Sequence, residues 1–283
     1  MFQTLRMWIA FALAVCLASI SPEPAAQSPS PGIGMVIMHG KGGSPTKHVW
    51  YLASSLEKNG YLVASLEMAW SERREYDVNV DAAVKEVQSA LDTLRSRGAK
   101  KLFVAGHSLG ALFALYYAGK HAVDGVIALA PGGSVSTPIY REKLGESVDL
   151  ARRLLTEGKA NEKTRFTDYE GARGIYPVIT TPVAYFSWFD PEGAMSLLKA
   201  AKAVNPRIPV LYVGPKRDYP ILLKGKQVIF SALPPHPLTK LHEPDSTHLD
   251  APSASRDEIL RWTSQVASGA NSTLQGTPAS GRP

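Results

Sequence analysis

Cysteine is almost missing from this chain: Cys16 is the single one in 283 residues. A disulfide within the chain is therefore excluded, and so is any CxxC redox pair or multi-cysteine metal site. Long apolar runs are also scarce. The uncharged apolar run at residues 7–20 falls short of the roughly 20 apolar residues that span a bilayer. Concentrated charge of one sign is lacking as well. The formal net charge is +6, but the basic residues are scattered, with only short pairs such as Arg73–Arg74, Lys100–Lys101 and Lys216–Arg217. No basic block is interleaved with aromatics and no nucleic-acid motif is present, so the charge reads as solubility and no nucleic-acid partner is expected. Metal-ligand spacings, a dinucleotide fingerprint and internal repeats are all absent, and no metal or other cofactor is expected.

What is there begins with an export pattern. Arg6 precedes the apolar run, and a Pro-, Ser- and Ala-rich stretch follows it, with Pro24-Ala25-Ala26 as the cleavage region. This is the layout of a secretory signal peptide over residues 1–26. Cleavage would remove Cys16 and leave no stable membrane span, placing the mature chain in the periplasm or outside the cell. An uncleaved anchor is the alternative.

The whole sequence is 45% hydrophobic and 20% charged, an ordinary globular balance, and residues 27–267 form its body. Short apolar runs at 35–38, 61–66, 101–105, 125–130, 209–213 and 238–242 read as strands. Amphipathic or apolar stretches at 47–58, 80–94 and 109–118 read as helices. Ser44-Pro45 reads as the start of the first helix, and Ser255-Arg256-Asp257-Glu258 has the form of a capping box opening the last. Strands alternating with helices predict an α/β fold, a mostly parallel sheet with helices on both faces. The rhythm breaks after Pro131. Residues 132–205 show a helix pattern and an aromatic cluster, Tyr185 to Phe189, but no obvious strand, and are expected to form a helical cap above the carboxyl ends of the strands. Residues 268–283, rich in Gly, Ser, Thr and Pro, are expected to be a disordered tail.

The chemistry centres on Gly106-His107-Ser108-Leu109-Gly110, with a strand immediately before it and a helix immediately after. A serine hydroxyl needs a base to take its proton, and it must stand clear of the sheet. A sharp strand-to-helix turn flanked by glycines provides the second condition. Ser108 is the expected nucleophile. The N–H of Leu109, at a helix start, is an expected oxyanion donor.

His39-Gly40-Lys41-Gly42-Gly43 after one strand, with the Ser108 pentad two strands later, resembles the α/β-hydrolase superfamily, especially bacterial carboxylesterases and lipases. The resemblance covers about residues 33–267, least in the cap. It implies a second oxyanion donor in the loop after Gly40, the N–H of Lys41 with Gly42 as alternate, a role in which the Lys41 side chain need not take part. It also implies a catalytic base in the loop after the last strand. His248 fits that place; His236 lies before the strand and His242 within it. The acid is expected after the penultimate strand, in Gly214-Pro215-Lys216-Arg217-Asp218, which makes Asp218 the candidate, with Asp190 and Asp250 as alternatives. His39 and His107 are expected to brace loops. The loop from Trp70 to Arg74 could line the pocket mouth, with Arg74 either binding an anionic group or lying on the surface, and the 185–189 aromatics could be pocket wall or core.

The implied activity is hydrolysis of a small-molecule or lipid-like carboxylic ester through an acyl-enzyme. Acyl transfer or amide hydrolysis on the same residues is the rival within enzymes, and a non-catalytic binding protein on the same scaffold is the rival outside them.

Overall fold

A computed structural model describes residues 32–171 and 173–269. The export segment, its cleavage region and nearly all of the carboxyl-terminal tail lie outside the described residues. In chain order the strands are β1 (Ile33–Met38), β2 (Leu62–Leu66), β3 (Lys101–His107), β4 (Gly125–Leu129), β5 (Thr164–Glu170), β6 (Gly174–Thr180), β7 (Val210–Val213) and β8 (Lys240–His242). The helices are α1 (Trp50–Lys58), α2 (Val80–Ser96), α3 (Leu109–Ala118), α4 (Pro138–Thr156), α5 (Pro182–Phe189), α6 (Leu197–Ala203), α7 (Pro220–Ser231), α8 (Ala251–Ala254) and α9 (Arg256–Ala267).

Six strands form one sheet in the order β2-β1-β3-β4-β7-β8, and every pairing in it is parallel. The expected α/β sheet is therefore present. Its strands divide their side chains between two cores with period two. In β1, Val36 and Met38 enter the core with α2 and α3, while Ile33, Met35 and Ile37 enter the core with α1 and α9. The same alternation sends Leu102 and Val104 one way and Phe103 and Ala105 the other. Both faces being covered, β1 reads as a continuous apolar run without polar alternation. Helix α3 is apolar all round because it is enclosed on all sides by the sheet and by neighbouring helices such as α6.

The chain moves from β1 outward to β2, then returns to place β3 on the other side of β1. Loops leaving the carboxyl ends of β1 and β3 consequently diverge and open a crevice between them. Gly40 to Gly43 follows β1 and Ser108 follows β3, so both lie at that opening.

The insertion between β4 and β7 is not all helix. Alongside α4 and α5 it carries an antiparallel hairpin, β5 paired with β6 from Thr164↔Thr180 to Glu170↔Gly174. Its last helix, α6, packs on α3, with the Asn205 N–H donating to the Ala118 carbonyl, and belongs to the layer that covers the sheet. Two start signals also resolve differently. Ser44-Pro45 opens a turn, Lys47 N–H to Ser44 O, and α1 begins only at Trp50. Ser255 does stand at the head of α9, but at φ −98° and ψ 3° it continues from α8 with its N–H on the Ala251 carbonyl, its hydroxyl makes no cap, and Glu258 turns to Lys240 and Arg261.

Candidate active site

Ser108 joins β3 to α3 with φ 54° and ψ −114°, a backbone conformation that an L-residue adopts only under constraint. Besides the first bonds of α3, which its carbonyl accepts from Ala111 and Leu112, two longer-range main-chain bonds supply that constraint. The Ser108 N–H donates to the Leu129 carbonyl at 2.9 Å, and the Gly132 N–H donates to the Ser108 carbonyl at 3.2 Å. The flanking glycines are required by space. A Cβ on Gly106 would fall inside the main chain of Gly110, and one on Gly110 would lie 2.6 Å from the Met38 carbonyl oxygen. Since these obstacles are backbone, Gly106→Ala is expected to destabilise the fold by at least about 3 kcal/mol, the upper end of overpacking costs. Urea denaturation would measure it; an unchanged midpoint would contradict the tightness of this turn.

His248 and Asp218 are brought together by an extension of strand pairing. Beyond β7 and β8 the two loops remain zipped: Gly214 N–H to His242 O, Lys216 N–H to Pro244 O, and Arg217 N–H to Ser246 O. This delivers Asp218 and His248 side by side, with His248 Nδ1 2.7 Å from Asp218 Oδ1 and both side chains buried. Facing a carboxylate, Nδ1 carries the proton, which leaves Nε2 as the unprotonated nitrogen. Asp218 Oδ1 also accepts the Tyr219 N–H at 2.7 Å. The His248 ring lies between Tyr219 and His107, with centroids 4.6 and 4.9 Å away.

None of the alternatives joins this pair. His242 sits in β8 with an unpartnered Nε2, and His236 accepts the Leu238 N–H. Asp190 accepts the Glu192 N–H, and Asp250 accepts the Thr247 hydroxyl. The Ser108 hydroxyl itself makes no hydrogen bond among the described residues. It lies beside the Gly132 α-carbon, which in turn faces Leu222 at the start of α7.

His107 and His39 act as braces. His107 Nε2 donates to the His248 carbonyl at 2.9 Å, fixing the loop that carries His248. Burial first, then the neighbouring His248, push its pKa down to about 3. An unfolded chain would take up that proton near pH 6.5. The stability contributed by neutral His107 is therefore fully present above pH 6.5 and is lost as pH falls toward 3, at about 1.4 kcal/mol per pH unit within that window. His107→Gln can still donate to the His248 carbonyl. It should flatten the decline of unfolding free energy between pH 6 and 4, measured by urea titration at each pH; a decline as steep as wild type would contradict this role. His39 donates from Nδ1 to the Gly40 carbonyl and accepts the Met68 N–H at Nε2, so both ring nitrogens are committed. Its pKa is lowered, chiefly by burial.

The loop after β1 is held on every side. The Gly42 N–H donates to the Trp70 carbonyl, the Gly43 N–H to the Gly40 carbonyl, and Trp70 Nε1 to the His39 carbonyl. Gly42 is thereby occupied as a donor. The N–H groups of Lys41 and Leu109 have no acceptor among the described residues. Trp70 is buried beneath this loop and does not line a mouth. Arg74 spends four of its five N–H donors on Asp77, both Glu86 oxygens and the Glu67 carbonyl, so its charge is already met by two carboxylates and it serves the surface fold. The 185–189 aromatics are mainly core: Tyr185 stacks on Phe166 and Phe189 at 4.3 and 4.4 Å, and Trp188 packs edge-on against Trp70. Phe189 also lines a cavity of about 220 Å³ with Tyr140, Leu144 and Val148.

The Lys41 side chain, which a main-chain donor does not require, is nevertheless engaged. Its ammonium is buried in the cap against Asp168, which sequence reasoning did not single out. Among the described residues no group of three or more His, Cys, Asp or Glu side chains could hold a metal ion, and no helix is long and apolar enough to cross a membrane.

Residues 30–170 match the family model described as serine aminopeptidase, S33. No curated protein matches the chain. Solved structures do. The Est1E protein of Butyrivibrio proteoclasticus, determined with ferulic acid, is 15% identical with TM-score 0.56, covering 84% of this chain and 92% of its own. A thermostable carboxyl esterase from Bacillus coagulans, in complex with glycerol, is 14% identical with TM-score 0.58, covering 84% and 90%. A monoacylglycerol lipase from Paleococcus ferrophilus is 21% identical with TM-score 0.53, covering 84% and 95%. At these identities the likeness is one of fold.

Proposed function

Because this chain is an α/β-hydrolase, we propose that it hydrolyses carboxylic esters with Ser108 as nucleophile, His248 as base and Asp218 as the acid that orients it. One observation carries the reading: the buried Asp218 carboxylate stands 2.7 Å from His248 Nδ1, in the loop that His107 ties to the strained Ser108 turn. The structural neighbours named for esterase and lipase activity support the ester substrate.

The residues divide the work as follows. His248 Nε2 takes the Ser108 proton as Oγ attacks the acyl carbon. The resulting oxyanion is met by the N–H groups of Lys41 and Leu109, the latter at the positive end of α3. Asp218 stabilises the imidazolium so formed. His248 then gives its proton to the departing alkoxide, leaving an acyl-Ser108 ester and the free alcohol. Water, deprotonated by His248, attacks that ester, and the proton returns to Ser108 as the carboxylic acid leaves. No step calls for a cofactor. The amino-terminal apolar run supports action outside the cytoplasm.

The test is turnover of p-nitrophenyl esters of short and long acyl chains by the purified chain, beside the matching anilides. Ester turnover is expected, with at least one chain length preferred. The aminopeptidase description of the matching family favours amide hydrolysis as the second reading. Anilide turnover without ester turnover would select it.

A further inference from the structure

The residue whose N–H is assigned to the oxyanion also reaches out of the loop after β1 to anchor its side chain in the cap. Lys41 Nζ donates to Asp168 Oδ1 at 2.6 Å and to the Tyr169 carbonyl at 3.2 Å, and it lies over the rings of Tyr140 and Phe189 at 5.2 and 5.6 Å. Its side chain is 8% exposed and that of Asp168 is 0% exposed. Asp168 has every acceptor position occupied. Oδ1 takes Lys41 and the Tyr169 N–H, while Oδ2 takes the hydroxyls of Tyr76 and Tyr176 at 2.9 and 2.8 Å. One carboxylate thus gathers the loop after β1, the loop before α2 and both strands of the hairpin, and the lysine it holds is covered by α4 and α5.

Local strain points to the same centre. Glu75 and Tyr76 are consecutive non-glycine residues with φ 47° and 58°. Tyr76 is held there by its N–H on the Ala69 carbonyl and by its own carbonyl, which accepts the Thr180 hydroxyl at 2.6 Å. Such strain persists only where the surroundings over-determine it. The outcome is a phenol aimed at Asp168. A buried ion pair is a weak device for stability, since an apolar replacement of similar volume often serves as well. What a saturated pair does supply is one fixed position for each partner. An oxyanion donor needs that, because it must lie 2.7–3.1 Å from the developing charge.

We propose that Lys41 is a positioning residue: its ammonium, clamped by Asp168 of the cap hairpin, holds its own main-chain N–H at the oxyanion site and links the seating of the cap to transition-state stabilisation. The proposal rests on the functional reading above. Three variants test it: Lys41→Met, Asp168→Asn, and the two together. The double variant removes both charges, so no orphaned ion remains in the cap, and the asparagine can still meet the tyrosine hydroxyls. In all three, kcat for a p-nitrophenyl ester should fall by about 10- to 100-fold, the scale of an ångström-level misplacement, with KM within about threefold of wild type. Affinity for phenylboronic acid, which forms a tetrahedral adduct on a serine hydroxyl, should fall by the same factor as kcat/KM. A folded double variant with wild-type kcat, or a loss carried by KM, would overturn the proposal and leave the pair as a staple. Failure of the functional reading shows elsewhere: Ser108→Ala would then turn over ester as fast as wild type, and the proposal would fall with it.

Discussion

Replacing Ser108 by alanine should lower kcat for ester hydrolysis by about 10⁶-fold, the loss typical when the nucleophile of such a constellation is removed. The fold should not suffer. Alanine keeps the same backbone at φ 54°, and the main-chain bonds that hold it there, among them those to Leu129 and from Gly132, are independent of the side chain. The residual rate should still exceed the uncatalysed one by about 10³–10⁴-fold, because the oxyanion donors and the binding surface remain. Adding His248→Ala to Ser108→Ala should cost almost nothing more, since the two act as a unit. The measurement is kcat beside a thermal melt. A variant that melts as wild type and retains more than a hundredth of its turnover would remove Ser108 from the reaction.

Removing the acid is the second large effect. Asp218→Ala should lower kcat by about 10⁴-fold. It releases His248 Nδ1, unfixes the ring and deletes the charge that stabilises the imidazolium. Asp218→Asn should cost less. The Asp218 oxygen that accepts from His248 also accepts the Tyr219 N–H, so an asparagine oxygen is held in that place and keeps the proton on Nδ1. What it loses is the negative charge. The two variants therefore separate orientation from electrostatics by their kcat ratio. Asp218→Ala within tenfold of wild type would transfer the role to another carboxylate.

Much of this arrangement is legible in the sequence because it is local. The Ser108 turn needs only a strand, a small-residue pentad and a helix, all within 101–118. Asp218 and His248 stand apart in sequence, but each follows its own strand, and the order of strands and loops carries their placement. The hairpin was illegible for a definite reason. On β5 the inward positions are Phe166 and Asp168, so a charge occupies a core site. On β6 the large aliphatics Ile175 and Ile179 face outward, while Tyr176 and Thr180 turn inward. Apolar alternation is thus disguised on both strands, and Pro177 sits in the middle of the second. The Lys41–Asp168 pair spans 127 positions and has no sequence signature at all. Its partners, Tyr76 and Tyr176, become meaningful only once the cap is folded over the loop after β1.

The same contrast explains the start of α1. Ser44-Pro45 has the local chemistry of a helix start, yet the segment to Val49 is held as a turn, and α1 runs from Trp50 with Val49 at its cap position. The Ser44 hydroxyl that would cap such a helix pairs with the Thr46 hydroxyl, and Lys47 Nζ donates to the Gly42 carbonyl, so the segment closes on the loop before it.

The central claim is that the hydroxyl of Ser108 is the nucleophile that His248 activates. Treating the full chain with a fluorophosphonate and locating the adduct by peptide mass spectrometry tests it most directly. The account predicts one modified residue, Ser108, with labelling slowed by orders of magnitude in His248→Ala. A label on another serine, or undiminished labelling of Ser108 without His248, would contradict it.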